Sequence, residues 1–255
     1  TPKKPVVVWK GGQSEAGQRA IASHTGSLAV PAAVWDAIVR QAGAIPASSF
    51  DELLDVIKLL QFVKPTTGDR VGLVAMTGGP SVIMTDAFEH AGLRVPLLSD
   101  TSYEELSSFF NVIGGSFRNP LDSGHTIGMG QMTDTLGRLL SILDRDANID
   151  AIVMDTGASL VAGQWQARPE TLTALLDTLS RFAARSPKPF FVVLQPFARE
   201  AELLEARSQF HERRIATVAT HQRAAQALRL VTDYHRAQSA QASPSSGPAE
   251  MLRHQ

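Results

Sequence analysis

A histidine among small hydroxyl residues and a glycine, Ser23-His24-Thr25-Gly26-Ser27-Leu28-Ala29, is the stretch of this chain best suited to covalent chemistry. Neutral imidazole has an unperturbed pKa of about 6.5, so at neutral pH it offers a free nitrogen lone pair that can accept a phosphoryl group. The Thr25 hydroxyl, Gly26 and the neighbouring backbone N–H groups are suited to holding the phosphate oxygens around it. Single histidines in loops commonly do no more than hydrogen-bond locally. Residue types alone leave both readings open, with the local one ahead.

A second candidate is Thr77-Gly78-Gly79-Pro80-Ser81, at the junction of an apolar run with a helical stretch. Gly78 and Gly79 allow a sharp turn and a close backbone approach, and Pro80 suits the first turn of a helix. Free N–H groups and the positive dipole end make such a junction an anion site, although a tight turn without ligand has the same residues. A third stretch, Arg118 to His125, contains Asn119 and Asp122, which would either orient a ligand or simply serve turn chemistry. No metal site is expected: the seven histidines show no ligand spacing, and there is no cysteine. A phosphate loop of the Walker type, a G-x-S-x-G elbow and a G-x-G-x-x-G after a strand are all missing from the sequence.

These residues must be positioned by alternating strands and helices, the rhythm of an α/β protein with a parallel sheet. Val6 to Trp9 reads as a strand, followed by a polar loop from Gly11 to Gly26. A helix is expected from Pro31 to Gln41, with Val34, Trp35, Ile38 and Val39 on its inner face and Gly43 as its stop. Ser49 and Glu52 form a capping box for the next helix, whose inner stripe is Leu53, Leu54, Ile57 and Leu60. After a linker over 64–69, a second unit opens with Val71 to Met76 and a helix from Ser81 to His90. Leu93 to Val95 reads as a strand and Asp100 to Phe110 as a helix, with further strands at 151–154, 190–194 and 215–218. Helices striped by Leu136, Leu139, Leu140 and Leu143, and by Leu172, Leu175, Leu176 and Leu179, alternate with these strands, and two more stand near Glu200 and over 223–234. The expected organisation is a truncated α/β unit over 1–66, a doubly wound parallel domain over 67–236 and a disordered tail or linker over 237–255, which is rich in Ser, Gln and Pro.

With 24 basic against 25 acidic residues, the chain has no net field to steer nucleic acid or an anionic membrane to it, so neither is an expected partner. Hydrophobic content of 44% is that of an ordinary globular protein, and a cytoplasmic location is expected. The start, Thr1-Pro2-Lys3-Lys4-Pro5, lacks an initiator Met and the apolar core of a signal peptide, and reads as a cut inside a longer polypeptide.

Taken together, five segments resemble the ADP-forming acyl-CoA synthetases, related to succinyl-CoA ligase. They are Lys10 to Gly17, Ala22 to Ala29, Gln41-Ala42-Gly43, Val74 to Pro80 and Asn119 to Asp122, in matching order and spacing. The resemblance extends over nearly the whole chain to about residue 236. It implies two flavodoxin-like ligase domains, the first of them truncated here, and an acid–thiol ligase. Such an enzyme interconverts acyl-CoA, phosphate and nucleoside diphosphate with acid, CoA and nucleoside triphosphate, through acyl phosphate and phosphohistidine. It makes His24 the phosphorylated residue, with Thr25, Gly26, Gly78, Gly79 and Ser81 around the phosphate and Asn119 and Asp122 in support. CoA, ATP or ADP and Mg are implied as substrates of the complete enzyme, none of them bound with assurance by this fragment.

Three departures qualify what is implied. Val30 stands where the family carries glycine after Leu28-Ala29. The CoA-binding Rossmann domain and the ATP-grasp domain of the family are missing, so they are expected in the parent chain or partner subunits. A glutamate that supports the phosphohistidine in relatives falls upstream of Thr1. The fragment alone is therefore expected to be inactive and to bind nucleotide weakly or not at all. The alternative reading is a non-catalytic CoA- or nucleotide-responsive regulatory module, as in acetyltransferase fusions, and a plain flavodoxin-like binding domain has less support.

Overall fold

The computed structural model describes residues 4–25, 30–129, 132–157, 168–196 and 200–242. Strand β1 (Val7–Trp9) leads into helix α1 (Glu15–Thr25), where the sequence reads as a loop. Helix α2 (Ala32–Gln41) ends as expected at Gly43, whose φ of 68° needs a residue without a Cβ. Strand β2 (Ile45–Ala47) then pairs in parallel with β1, Val7 opposite Ile45 and Trp9 opposite Ala47.

Ser49 caps helix α3 (Phe50–Phe62) as expected, while the return bond of Glu52 goes one residue further back than a capping box requires. The Ser49 hydroxyl accepts from Glu52 N–H at 3.1 Å, and the Glu52 carboxylate accepts from the N–H of Ser48. The buried stripe of α3 is Val56 and Leu59 with Asp55, one step around the helix from the expected leucines, and Leu54 is exposed. The reason is the partner. Val56 and Leu59 share one apolar cluster with Val71, Phe88 and Val231, and α3 lies against the C-terminal helix that carries Val231 as well as on β1 and β2. On α2 only Val39 of the predicted inner face is buried, while Val34 and Ile38 are 49% and 52% exposed.

The larger sheet is built from β3 (Val71–Ala75), β4 (Leu121–Asp122), β5 (Ala151–Asp155), β6 (Phe190–Val193) and β7 (Thr217–Val218). All four pairings are parallel, in the order β4-β3-β5-β6-β7. Within this sheet that order is the flavodoxin-type 2-1-3-4-5, which reverses direction between β3 and β5. Helices α4 (Gly78–His90), α5 (Asp100–Ser107), α6 (Gly124–Met129), α7 (Met132–Arg145), α8 (Pro169–Arg185), α9 (Glu200–Glu212) and α10 (His221–Ala242) complete the described chain.

β3, β5 and β6 are buried along their whole length, as their unbroken apolar runs require. One face packs Val74, Ile152 and Val192 against Leu136, Leu140, Leu176 and Phe182 of α7 and α8. The other packs Leu73, Val153 and Phe191 against Met84, Phe88, Leu228 and Val231 of α4 and α10. Each fully buried Leu, Val or Phe contributes roughly 1.5–3 kcal/mol. The amino ends of the strands are tied by charge: Arg70 grips Asp150 through Nε at 2.8 Å and Nη2 at 2.6 Å.

Other boundaries also differ from the sequence reading. Leu93 to Val95 forms a single bridge, Arg94 with Arg70, rather than a strand. Leu121 and Asp122, read as loop, are an edge strand beside Val74 and Ala75. α10 continues to Ala242, beyond the Gln238 at which low complexity begins, and the rest of the tail lies outside the described residues.

Candidate functional site

In a sheet of this order, ligands bind beyond the carboxyl ends of the strands at the reversal point, here between β3 and β5. β3 ends at Ala75, and α4 begins three residues later, at Gly78, rather than at Ser81. Thr77 is the N-cap, extended at φ −155° and ψ 158°, and its side chain makes no capping bond. Pro80 has no N–H, and Ser81 N–H already reaches Thr77 O at 3.2 Å. Among the described residues, the N–H groups of Gly78 and Gly79 are therefore the orphan donors of this helix start.

Thr77, Gly78 and Gly79 are all exposed. A Cβ built on Gly79 would meet nothing within 4 Å, whereas one on Gly78 would come within 3.2 Å of Asp122 Oδ2. Neither glycine has a positive φ. Their value here is an unobstructed approach to two N–H groups at the positive end of a helix.

The remaining predicted residues divide. Ser81 is buried and its hydroxyl donates to Gly78 O at 2.7 Å, so its proton is already committed to the helix. Asp122 ends β4 beside Gly78; burial raises its carboxyl pKa, and the charge of His125 partly offsets that rise. Asn119 is placed elsewhere. Its Oδ1 accepts from Leu73 N–H at 2.9 Å, and its Nδ2 donates to Val71 O at 2.9 Å and Pro96 O at 2.8 Å. Its side chain thus serves the amino half of β3, while the turn follows the carboxyl end. His24 and Thr25 occupy the last turn of α1; their side chains, and Gly26, lie outside the described residues.

A cluster that no motif announced stands at the same edge of the sheet. Asp155, at the end of β5, accepts from His221 Nε2 at 2.9 Å and from Gln195 Nε2 at 3.1 Å on Oδ2, and from Gly157 N–H at 2.8 Å on Oδ1. Asp155 and His221 are buried, so this pair fastens the segments after β5 and β6 to the start of α10. The usable signal was position: each residue falls at or just beyond the carboxyl end of a strand. Among the described residues, no group of three or more His, Cys, Asp or Glu is placed to hold a metal ion, and no helix is long and apolar enough to cross a membrane.

The fold is an α/β, flavodoxin-like architecture built on a parallel sheet. Residues 1–60 match the family described as "Succinyl-CoA ligase like flavodoxin domain". The chain is 36% identical over 154 residues to the acetate–CoA ligase [ADP-forming] II subunit alpha of Pyrococcus furiosus, covering 60% of this chain and 32% of that protein. It is 41% identical over 122 residues to the corresponding I subunit alpha, covering 47% of this chain and 26% of that protein. The structure of the dinucleotide forming acetyl-coenzyme A synthetase 1 of Ca. Korarchaeum cryptofilum, solved with phosphate and ADP, superposes with a TM-score of 0.73 at 28% identity. That superposition covers 93% of this chain and 48% of the other. The resemblance to the ADP-forming acyl-CoA synthetases is borne out, and the chain spans about a third of the first relative's length.

Proposed function

We propose that this chain is the phosphoryl-handling portion of an NDP-forming acyl-CoA synthetase, with His24 as the group that takes phosphate from an acyl phosphate and passes it to a nucleoside diphosphate. The observation that carries this reading is the open, uncapped start of α4 at Gly78 and Gly79, on the reversal point of a fold shared with a synthetase solved with phosphate and ADP. His24 ends a helix, where the dipole is negative and disfavours a dianion by about 0.3–1 kcal/mol. A phosphohistidine there gains from a second helix presenting its positive end, and α4 is free to provide one.

In this account the imidazole attacks phosphorus, the acyl carboxylate leaves, and the phosphohistidine then gives its phosphoryl group to the diphosphate. Thr25, Gly26, Gly78 and Gly79 hold the phosphate oxygens, and Asp122 sets the local charge. Ser81 and Asn119 hold the turn and β3 in shape instead of touching phosphate. CoA, the nucleotide with Mg and the acyl substrate are handled by a CoA-binding Rossmann domain and an ATP-grasp domain in the parent chain or partner subunits, all in the cytoplasm. The test is ATP formation from acetyl-CoA, phosphate and ADP by the complete enzyme and by its His24→Ala variant. Loss of ATP formation in the variant is expected; unchanged ATP formation contradicts the proposal.

A further inference from the structure

At the β7 edge of the sheet, away from β4 and the α4 turn, a cleft of about 310 Å³ opens between α3 and α9. Lys58 and Phe62 line it from α3, and Leu204, Arg207, Ser208 and His211 from α9. Among the described residues, no carboxylate lines it.

Arg207 is half-buried, and among the described residues its one hydrogen bond is a long 3.5 Å approach to Leu194 O. A guanidinium carries five N–H donors, so this is a poorly satisfied cation. The carboxylate whose charge reaches Arg207 is already shared: Asp55, fully buried, accepts from Arg223 Nε at 2.6 Å and pairs with Lys58 at 3.2 Å. Burial and the like charge of Arg223 both depress the pKa of Arg207, with Asp55 offsetting them in part. A half-desolvated charge whose counter-ion is shared with two other cations is costly, and an anion in the cleft relieves that cost.

The apolar side of the cleft is also specific. Phe62 is held edge-on by the His211 ring at 4.9 Å, and Arg214 lies 5.4 Å over it. Leu204 is 64% exposed, an apolar side chain directly beside a cationic cleft. The volume is at the low end for small-molecule sites, which suits a compact ligand.

We propose that this cleft binds a small phosphate monoester, with its phosphate on Arg207 and Lys58 and its organic body against Phe62 and Leu204. The site is independent of the phosphoryl-transfer reading, because it uses none of the residues assigned there.

The test is titration of the whole chain with phenyl phosphate and with orthophosphate, followed by NMR of the Phe62 and His211 ring signals. Saturable binding is expected, tighter for phenyl phosphate than for orthophosphate. Arg207→Gln should weaken it by about tenfold or more, the worth of a charge-assisted contact, and Arg207→Lys should keep part of it. Lys58→Gln, at a more exposed position, provides the same test if Arg207→Gln does not fold. Gly79→Asp, at the α4 turn, should leave this binding unchanged. Absence of saturation, equal binding of the two probes, unchanged binding to the folded Arg207→Gln and Lys58→Gln proteins, or loss of binding in Gly79→Asp each overturns the proposal.

Discussion

Asp122 places a carboxylate oxygen beside the backbone of Gly78, 3.2 Å from where a Cβ on that glycine would stand. A negative charge there opposes any phosphate approaching the start of α4. Burial weakens that opposition by favouring the protonated carboxyl, while His125 favours the ionised form. Asp122→Asn should therefore increase phosphohistidine accumulation at neutral pH, by roughly threefold to tenfold for a charge at this range. Loss of accumulation in a folded Asp122→Asn protein would show that the carboxylate has a positive role.

The same residue carries a pH signature. Its folded pKa lies above the ordinary 3.8, so just above that pH the folded state holds a proton that the unfolded state has released. Stability from this group falls as pH rises through the window. Asp122→Asn should remove that fall, as measured by urea unfolding on either side of the window.

Gly79→Asp puts a charge where the phosphate is proposed to sit. Because Gly79 has no positive φ and open space around its Cβ position, strain does not confound the experiment. An acidic residue in the first turn even favours the helix by a few tenths of a kcal/mol. Gly79→Asp should fold normally yet accumulate less phosphohistidine than Gly79→Asn. Equal accumulation in the two variants makes the turn purely structural.

Asn119 substitutes for a strand. β4 pairs with β3 only at Val74 and Ala75, and the Asn119 amide serves Val71 and Leu73 in its stead. Asn119→Ala leaves buried backbone groups without partners and should cost about 1–3 kcal/mol in urea unfolding, whereas Asn119→Asp should retain the acceptor and lose the donor.

Asp150 behaves oppositely to Asp122. Burial alone would raise its pKa, but the Arg70 hydrogen bonds and charge outweigh that and hold it below the ordinary 3.8. Its contribution is present above that unfolded value and is lost as pH falls through the depressed folded one. Asp150→Asn should thus destabilise the protein by about 1–3 kcal/mol at pH 7, with the difference closing below pH of about 4.

The sheet was legible because β3, β5 and β6 are uninterrupted apolar runs, and buried parallel strands need no alternation. α1 was not: in Glu15–Thr25 Ile21 is the lone large apolar residue, so no 3.6-residue stripe marks the helix. The α2 face was misjudged for a tertiary reason, since β1 and β2 alone do not cover Val34 and Ile38. At the site, a glycine pair after an apolar run located the start of α4. The cluster of Asp155, Gln195 and His221 had no local pattern, because its members are brought together only by three successive strand ends.

The most direct test of the central claim is to phosphorylate the complete enzyme from labelled ATP and to map the modified residue by mass spectrometry under alkaline conditions, which preserve phosphohistidine. The account predicts phosphate on His24, its disappearance in His24→Ala together with net acyl-CoA formation, and an unaltered fold by circular dichroism. Stable label on another residue, or normal turnover by the His24→Ala enzyme, contradicts it.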